Sequence, residues 1–282
     1  MRGLRACASK QALIAPLRVG APPLAASQFR IICFHNAGSS ESVYTGRGMR
    51  AKEDNPFVVH CRDKGGELMA CELPGRESRR NEPRHRTLRP YCEDLYPVLA
   101  PLLQNESVPY IVVGHSMGTW MSYEFIRLLA EKGIPLPKQW VVSGFPAPNI
   151  DEKKRPWNKN KPMADPAFKE ECRGWNVNEI VFTDANWKTF SPMMRDDFTL
   201  FDEFVYTPPP AHIRNGEFPI PMRAKVAVDD KRAKKEHLEA WRACCLPAPP
   251  PPPPPLFPPP PPPPPPLPPP YHRERRTLRP PG

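Results

Sequence analysis

Residues 110–118 read Tyr-Ile-Val-Val-Gly-His-Ser-Met-Gly, and an amphipathic run follows them over 119–132. The apolar residues before the first glycine are typical of a buried strand, and the periodicity after it predicts a helix. A serine flanked by Gly114 and Gly118 at such a junction predicts a sharp turn that lifts the hydroxyl clear of a sheet, where larger flanking side chains would clash. The pattern therefore predicts a nucleophile at Ser116, and a purely structural turn serine is the alternative.

The segments on either side of this turn alternate between short apolar runs and amphipathic runs. This alternation predicts an α/β fold with a mainly parallel sheet and helices on both of its faces. We expect no strand after the last helix, so the C-terminal strand is predicted to be missing and one sheet edge to be unpaired. The predicted strands cover 30–34, 68–73, 110–113, 140–144 and 224–228, and the predicted helices cover 91–103, 119–132 and 231–245.

Composition divides the 282 residues into three parts. Residues 1–28 carry arginines and no acid, which predicts a disordered leader; a transit peptide and an undirected terminus are both open. Residues 29–245 form the predicted domain, in which 150–215 interrupt the alternation with aromatic and charged helical pieces, as expected of a lid. Residues 246–282 form a proline-rich tail that we expect to be disordered and to bind SH3, WW or profilin-type domains.

Charge and cysteine usage exclude several classes of function. The formal net charge is +10, from 40 basic and 30 acidic residues, but the two ends supply most of the excess, so we expect no nucleic-acid partner. No apolar run approaches the ~18 residues that span a bilayer. Eight cysteines without a Cys-x-x-Cys pair favour free buried thiols over a metal site or disulfides. We therefore expect a reducing compartment, cytoplasmic or organellar (plastid or mitochondrion), and not a secreted protein.

A small-residue loop is predicted to complete the reaction site. Residues 34–39, Phe-His-Asn-Ala-Gly-Ser, follow the first predicted strand, which is where an oxyanion loop is expected. The amides of Ala37 and Met117 would then form the pair of oxyanion donors. An ordinary strand-to-helix turn is the alternative for this loop.

The acid of a catalytic triad is expected at the end of a later strand. Asp230 follows the predicted strand 224–228 and occupies this position. Its neighbour Asp229 is expected to cap or solvate the start of the next helix. The order of serine first and acid second agrees with the order in which hydrolases built on a strand, sharp turn and helix arrange these groups.

Taken together, these segments resemble the type II thioesterases of polyketide and non-ribosomal peptide synthesis. They also resemble the related medium-chain fatty-acyl carrier-protein thioesterases. The likeness runs in order over about residues 29–245 and implies an α/β-hydrolase fold. The matching residues are Gly114, His115, Ser116, Met117 and Gly118 at the nucleophile, Pro74, Gly75 and Arg76 in a Pro-Gly-Arg box, and Arg195, Asp197 and Phe198 in a lid motif.

The resemblance implies a serine thioesterase that acts in fatty acid, polyketide or peptide biosynthesis. Its substrate would be an acyl group on the phosphopantetheine arm of an acyl carrier protein, or acyl-CoA. Since the phosphopantetheine belongs to the substrate, no separate cofactor is implied. The Pro-Gly-Arg box and the lid motif make a general lipase or esterase the weaker alternative.

One family feature is absent from the sequence. The family carries its triad histidine in a Gly-His-Phe segment downstream of the acid, and here that interval falls inside the proline tract. We expect His115 to project away from the serine, His237 to lie on an exposed helix face, and His272 to lie beyond a stiff spacer. The sequence therefore predicts an incomplete triad. Either this C-terminus replaces a normal one, or the protein is a non-catalytic descendant that binds acyl chains or carriers.

Overall fold

The computed structural model describes residues 14–17, 27–46 and 55–247. Within these ranges, seven strands form one sheet in the order β1-β3-β2-β4-β5-β6-β7. Every neighbouring pair is parallel except β1 and β3. The strands are β1 (Ile14–Leu17), β2 (Phe29–Phe34), β3 (Gly66–Cys71), β4 (Tyr110–His115), β5 (Gln139–Ser143), β6 (Phe218–Lys225) and β7 (Cys245–Pro247).

Helices cover both faces of this sheet, which confirms the predicted α/β class. Along β2, Ile32 and Phe34 point into a large core, whereas Ile31 and Cys33 point into a smaller core on the opposite face. This alternation follows from the two-residue period of a strand. The helices are α1 (Ser42–Thr45), α2 (Pro56–Lys64), α3 (Leu88–Leu103), α4 (Met117–Glu131), α5 (Asp165–Gly174), α6 (Asp184–Asp202) and α7 (Lys235–Glu239).

A helical insertion separates β5 from β6, as the sequence predicts for a lid. Its main elements are α5 and α6, joined by a short 3₁₀ turn at Glu179–Phe182. The insertion is fastened to the body of the domain by aromatic packing: Phe145 after β5 stacks on Trp157 with ring centroids 5.2 Å apart and packs edge-on against Phe201 of α6. None of the described helices is both long and apolar enough to cross a membrane.

The position of β6 differs from the sequence prediction. The strand covers Phe218–Lys225 and ends before Val226, whereas the pattern predicted 224–228. Its inward residues are the alternating Phe218, Ile220 and Met222, separated by two prolines. Prolines argue against a central strand because they donate no ladder hydrogen bond. The Phe218 amide points toward β7, so the nitrogens of Pro219 and Pro221 point toward β5, which pairs with β6 only from Met222 onward. The prolines therefore remove no ladder hydrogen bond.

The chain after β6 also differs from the prediction of one long helix. Instead of a helix over 231–245, a turn leads into α7, which is followed by a 3₁₀ turn at Ala240–Ala243. The expectation that no strand follows is wrong, because β7 adds three residues parallel to β6. Trp241 anchors this end: its indole is fully buried and donates a hydrogen bond of 2.9 Å to the Phe145 carbonyl.

The folded part also begins earlier than predicted. Strand β1, Ile14–Leu17, pairs antiparallel with β3 and lies inside the segment that was expected to be a disordered leader. That expectation is therefore wrong for these four residues, which cover the other edge of the sheet. The rest of the predicted leader before residue 27, and the predicted tail after Pro247, lie outside the described residues.

Six of the eight cysteines belong to the described cores, and all six are buried free thiols. Burial raises the pKa of each of these thiols, which keeps them protonated and unreactive. They therefore act as small apolar side chains in the packing. The six are Cys33, Cys61, Cys71, Cys92, Cys172 and Cys244.

Candidate active site

The turn between β4 and α4 has the sharp geometry that the glycine pattern predicts. Ser116 has φ 52° and ψ −128°, a conformation that residues with a side chain rarely adopt. The flanking glycines are sterically required: a Cβ on Gly118 would lie 2.1 Å from the Phe34 carbonyl oxygen, and one on Gly114 would lie 2.5 Å from the Gly118 oxygen. The strained serine is held by a 2.8 Å hydrogen bond from its amide to the Ser143 carbonyl.

A pocket of about 430 Å³ lies above this turn, between the carboxyl ends of the strands and the lid. Its polar side is built from the loop 36–39 together with His115 and Ser116. Its apolar side comes mainly from the lid and is rich in aromatic rings. The size and the mixture of an apolar wall with a few convergent polar groups are typical of a small-molecule site. The apolar lining residues are Phe145, Trp175, Val177, Val181, Phe190, Met194, Phe198 and Phe201.

Of the two residues predicted to donate to an oxyanion, Ala37 lines this pocket and Met117 directly follows Ser116, which lines it. Met117 is the first residue of α4, so its amide has no acceptor within the helix and lies at the positive end of the helix dipole. Ala37 lines the pocket on the side of the loop. Among the described residues, the Ala37 amide has no hydrogen-bond acceptor. Both amides are therefore available to a ligand oxygen in the pocket.

Asp230 lies in the turn after β6, beside Gly144 at the end of β5. Its Oδ1 accepts hydrogen bonds of 2.8 Å from the amides of Arg232 and Ala233, while its Oδ2 lies 3.8 Å from the point where a Cβ on Gly144 would be. Asp229 is exposed. Asp229 does not cap the following helix, whose N-cap is Lys234, and Asp230 instead closes the turn before it through Oδ1.

His115 is the described histidine that lines the pocket beside Ser116, contrary to the expectation that it projects away. Its ring packs on Gly144, with Cε1 3.1 Å from the point where a Cβ would be. Surrounding protein atoms lower the pKa of the ring by desolvation, although the side chain stays exposed on the pocket side. The Ser143 carbonyl and the charge of Asp230 act in the opposite sense and raise it. His115 and Asp230 are therefore electrostatically coupled across Gly144.

Four of the other described histidines have structural partners, and the fifth, His212, is exposed. His35 is fully buried: its Nδ1 donates to the Asn36 carbonyl at 2.9 Å, and its Nε2 lies 3.6 Å from Glu72 Oε1. His237 accepts a hydrogen bond from the Lys234 amide at the start of α7. His85 pairs with Asp94, and the ring of His60 packs against Phe29; His272 lies outside the described residues.

The Pro-Gly-Arg box and the lid motif meet in one buried ion pair, a contact the sequence did not reveal. Arg76 Nη1 donates to Asp197 Oδ2 at 3.0 Å, and Nη2 bonds the other carboxylate oxygen. The same carboxylate accepts the Gly38 amide at 2.8 Å, and Arg76 donates to the Ser39 carbonyl at 2.6 Å. Burial lowers the pKa of the Arg76 guanidinium, but Asp197 more than offsets this and leaves it raised. The loop 36–39 is thus bound to both motifs.

The remaining motif residues support this arrangement. Pro74 is buried, and Gly75 takes a left-handed φ of 85° where a Cβ would lie 2.3 Å from the Arg84 side chain. Arg195 reaches back across the lid to pair with Asp165 at 2.8 Å. Phe198 points into the pocket and packs against the lid core. Of the predicted motif residues, Phe198 lines the pocket and Arg76 and Asp197 bind its loop, whereas Arg195 pairs within the lid.

Comparison with known proteins agrees with this architecture. A family model described as a thioesterase domain matches residues 29–245. The gramicidin S biosynthesis protein GrsT of Aneurinibacillus migulanus is 29% identical over 220 residues, covering 77% of each chain. The medium-chain S-acyl fatty acid synthase thioesterase of Rattus norvegicus is 24% identical over 187 residues, covering 64% of each chain.

A solved structure adds to the likeness in sequence. RedJ, a thioesterase from the prodiginine biosynthetic pathway of Streptomyces coelicolor, superimposes with a TM-score of 0.65 at 25% identity. The match covers 80% of this chain and 77% of RedJ, so it includes both the sheet and the lid. The resemblance inferred from the sequence motifs is confirmed, and this chain belongs to the thioesterase family.

Proposed function

We propose that this chain is a serine thioesterase that hydrolyses acyl groups from the phosphopantetheine arm of carrier proteins. The observation that carries the proposal is the strained Ser116, which faces a pocket walled by the loop 36–39 on one side and by lid aromatic rings on the other. The relatives named for gramicidin S and prodiginine biosynthesis support carrier-bound peptide and polyketide intermediates as the substrate class. They favour hydrolysis over a non-catalytic binding role.

In the proposed mechanism, the Ser116 hydroxyl oxygen attacks the thioester carbonyl carbon as a histidine removes its proton. The amides of Ala37 and Met117 stabilise the negative oxygen of the tetrahedral intermediate. Collapse breaks the carbon–sulfur bond, and the histidine returns the proton to the departing thiol. Water then attacks the acyl-serine by the same route and releases the carboxylic acid. In a complete triad Asp230 would orient this histidine and stabilise its charged form. In the described part of this chain the charge of Asp230 acts on His115.

Removal of the Ser116 proton is the step of this mechanism for which the chain lacks the usual base. The Gly-His-Phe segment of the family is absent from the sequence, and the histidine beside Ser116 in the described pocket is His115. Loss of a triad member leaves about 10³- to 10⁴-fold catalysis over water, supplied by the oxyanion hole and substrate binding. We therefore expect slow turnover that depends on Ser116 but lacks the full rate of the family.

The aromatic wall suits an apolar acyl chain, because its burial removes hydrocarbon surface from water. Acyl-CoA carries the same thioester on the same phosphopantetheine chemistry, so it is a second substrate in this proposal. Phosphopantetheine enters with the substrate, and no resident cofactor is needed. The rat relative extends the proposed chemistry to medium-chain fatty acyl groups.

Two further parts of the proposal rest on sequence and thiol chemistry. The proline tract would adopt a polyproline II helix and bind SH3, WW or profilin-type domains. The six buried free thiols favour a reducing compartment, cytoplasmic or organellar. A pull-down with the isolated 246–282 peptide, with a leucine-interrupted scrambled peptide as control, tests the first part.

The test of the central proposal is hydrolysis of acyl-phosphopantetheinyl carrier protein, followed by mass spectrometry of the carrier. Wild-type protein should release free thiol on the carrier, and Ser116→Ala should not. Ser107→Ala, which changes an exposed serine of the loop before β4, is the matched control and should retain the wild-type rate. Equal hydrolysis by wild-type and Ser116→Ala would refute the proposal.

A further inference from the structure

We propose that Arg76 and Asp197 are positioning residues that set the oxyanion loop, here defined as residues 36–39, by tying it to lid helix α6. This inference rests on the proposed thioesterase function and assigns a role to two residues that touch neither the serine nor the reacting carbonyl. The two residues form a clamp. One member belongs to the segment after β3 and the other to the lid.

The clamp holds the backbone of the oxyanion loop at two points. The carboxylate of Asp197 accepts the Gly38 amide at 2.8 Å, and the guanidinium of Arg76 donates to the Ser39 carbonyl at 2.6 Å. The first bond fixes the peptide unit between Ala37 and Gly38, and the second fixes the unit between Ser39 and Ser40. The unit that carries the Ala37 amide is joined to the fixed Ala37–Gly38 unit through only two rotatable bonds, φ and ψ of Ala37, so fixing the latter narrows the directions open to that amide.

Burial makes this clamp specific in its geometry. The Arg76 and Asp197 side chains are 4% and 2% exposed, so water cannot replace either partner. A bidentate guanidinium–carboxylate pair has one preferred orientation, which fixes the loop more tightly than a single contact would. Gly38 has a left-handed φ of 74°, and a Cβ there would lie 3.4 Å from Met194 of α6. The oxyanion loop thus packs against α6, the same helix whose Asp197 accepts the Gly38 amide.

Helix α6 also forms part of the acyl pocket through Met194 and Phe198. The wall that contacts the substrate and the residue that holds the oxyanion loop therefore belong to one rigid element. A displacement of the Ala37 amide by about 1 Å would reduce the rate by about 100-fold, because oxyanion stabilisation depends on the donor distance. The clamp should therefore affect kcat far more than KM.

The adjacent residue Asp196 provides a matched control within the same helix. Its carboxylate pairs with Arg84 and Arg86 at 3.0 Å each, so it also joins α6 to the segment after β3. It makes no described contact with the oxyanion loop. If lid attachment in general were what mattered, Asp196 and Asp197 would be equivalent. The proposed clamp requires that they differ.

The first experiment measures hydrogen exchange of the Gly38 amide by NMR in the full chain. The test variant is Arg76→Met combined with Asp197→Leu, because replacing both members of a buried ion pair with apolar groups preserves folding better than removing one. The Gly38 amide should exchange at the rate of an unprotected amide in this variant and remain protected in Asp196→Asn. Asp197→Asn, which keeps an oxygen for the amide, should restore part of the protection.

The second experiment measures thioester hydrolysis by the same variants. We expect kcat of the double variant to fall about 100-fold with KM unchanged, and Asp196→Asn to match wild type. Unchanged Gly38 exchange in a folded double variant would overturn the clamp, as would equal losses in the Asp196→Asn control. The exchange measurement needs no turnover, so an inactive wild-type protein would refute the thioesterase proposal and leave the clamp to be decided by exchange.

Discussion

The guanidinium of Arg76 and the carboxylate of Asp197 form an ion pair inside the protein, although 121 residues separate them in the sequence. Each side chain is nearly excluded from solvent, and each also binds the backbone of the loop 36–39. The pair thus joins three segments of the chain: the turn after β3, the loop after β2 and lid helix α6. Disruption of this pair should lower the stability of the protein and also change the geometry of the site.

Removal of one partner should be strongly destabilising, because the other charge is left buried without compensation. We expect Arg76→Ala or Asp197→Ala to lower the free energy of unfolding by about 3–5 kcal/mol. Asp196→Ala breaks half-exposed pairs with Arg84 and Arg86 and should cost about 1 kcal/mol or less. Urea unfolding followed by circular dichroism measures all three. Comparable losses for Asp196→Ala and Asp197→Ala would contradict this prediction.

The glycines of the serine turn should differ sharply from other glycines in their tolerance of alanine. Gly118→Ala would place a Cβ 2.1 Å from the Phe34 carbonyl, so it should lower the yield of folded protein or its melting temperature severely. Gly133→Ala is the matched change at the other end of α4, where no atom lies within 4 Å and only the left-handed φ of 65° opposes it. It should cost about 1–2 kcal/mol. Thermal unfolding compares the two, and equal stability would refute the steric account.

The pKa of His115 should lie below its ordinary value of about 6.5, because desolvation favours the neutral ring. The charge of Asp230 opposes this, so Asp230→Asn should lower the pKa further. Asp229→Asn, which changes an exposed carboxylate, is the control and should shift it less. Titration of the ring protons by NMR gives the values directly. A pKa that rises in Asp230→Asn would contradict the coupling.

The same shift makes a prediction for stability against pH. Because the folded-state pKa of His115 is lowered, the unfolded chain takes up the proton first as the pH falls below about 6.5. The contribution of His115 is therefore neutral above that pH and destabilising below it. His115→Asn should lose less stability than wild type between about pH 7 and pH 5. Urea unfolding at several pH values measures this, and parallel curves for the two proteins would exclude it.

The expected slow turnover can be tested by supplying the missing histidine. Replacement of residues 246–282 with the C-terminal segment of a relative that carries Gly-His-Phe should raise kcat/KM by about 10⁴-fold. The same graft with alanine in place of its histidine controls for any gain in folding. If both grafts have the same kcat/KM, the C-terminus is not what limits this chain.

The sequence predicted those features that depend on neighbouring residues. Gly114 and Gly118 around Ser116 predicted the turn, and the alternating apolar runs predicted the succession of strands and helices along the chain. It placed β6 wrongly because Pro219 and Pro221 concealed the inward alternation of that strand. Proline is a warning against a central strand, but it has little effect where the strand that its nitrogen faces begins to pair only after it, as β5 does at Met222.

The sequence could not predict contacts between distant segments. Arg76 and Asp197 each matched a family motif, yet nothing in either motif indicates that they pair. The orientation of His115 was also missed: the sharp turn was expected to project it away from Ser116, whereas the ring packs on Gly144 and lines the same pocket. Such contacts depend on how the lid packs over the sheet, which is a property of the whole fold.

The strained backbone at Ser116 should lower the free energy of unfolding by a measurable amount. Residues held in a rare conformation of this kind cost about 1–3 kcal/mol. Ser116→Gly removes the Cβ that causes the strain, whereas Ser116→Ala keeps it, so the glycine variant should be the more stable by about 1 kcal/mol. Both variants lack the hydroxyl, so the difference between their free energies of unfolding in urea measures the effect of the Cβ. An alanine variant as stable as the glycine variant would show that the turn is relaxed.

This strain also bears on how the turn would evolve. Gly114 and Gly118 are confined by carbonyl oxygens at 2.5 and 2.1 Å, so they would persist in a descendant that had abandoned catalysis. At position 116, by contrast, a substitution by glycine would relieve the backbone strain and improve folding without any structural loss. A serine retained at position 116 therefore indicates selection for its hydroxyl. Glycines retained at positions 114 and 118 indicate only the steric requirement of the turn.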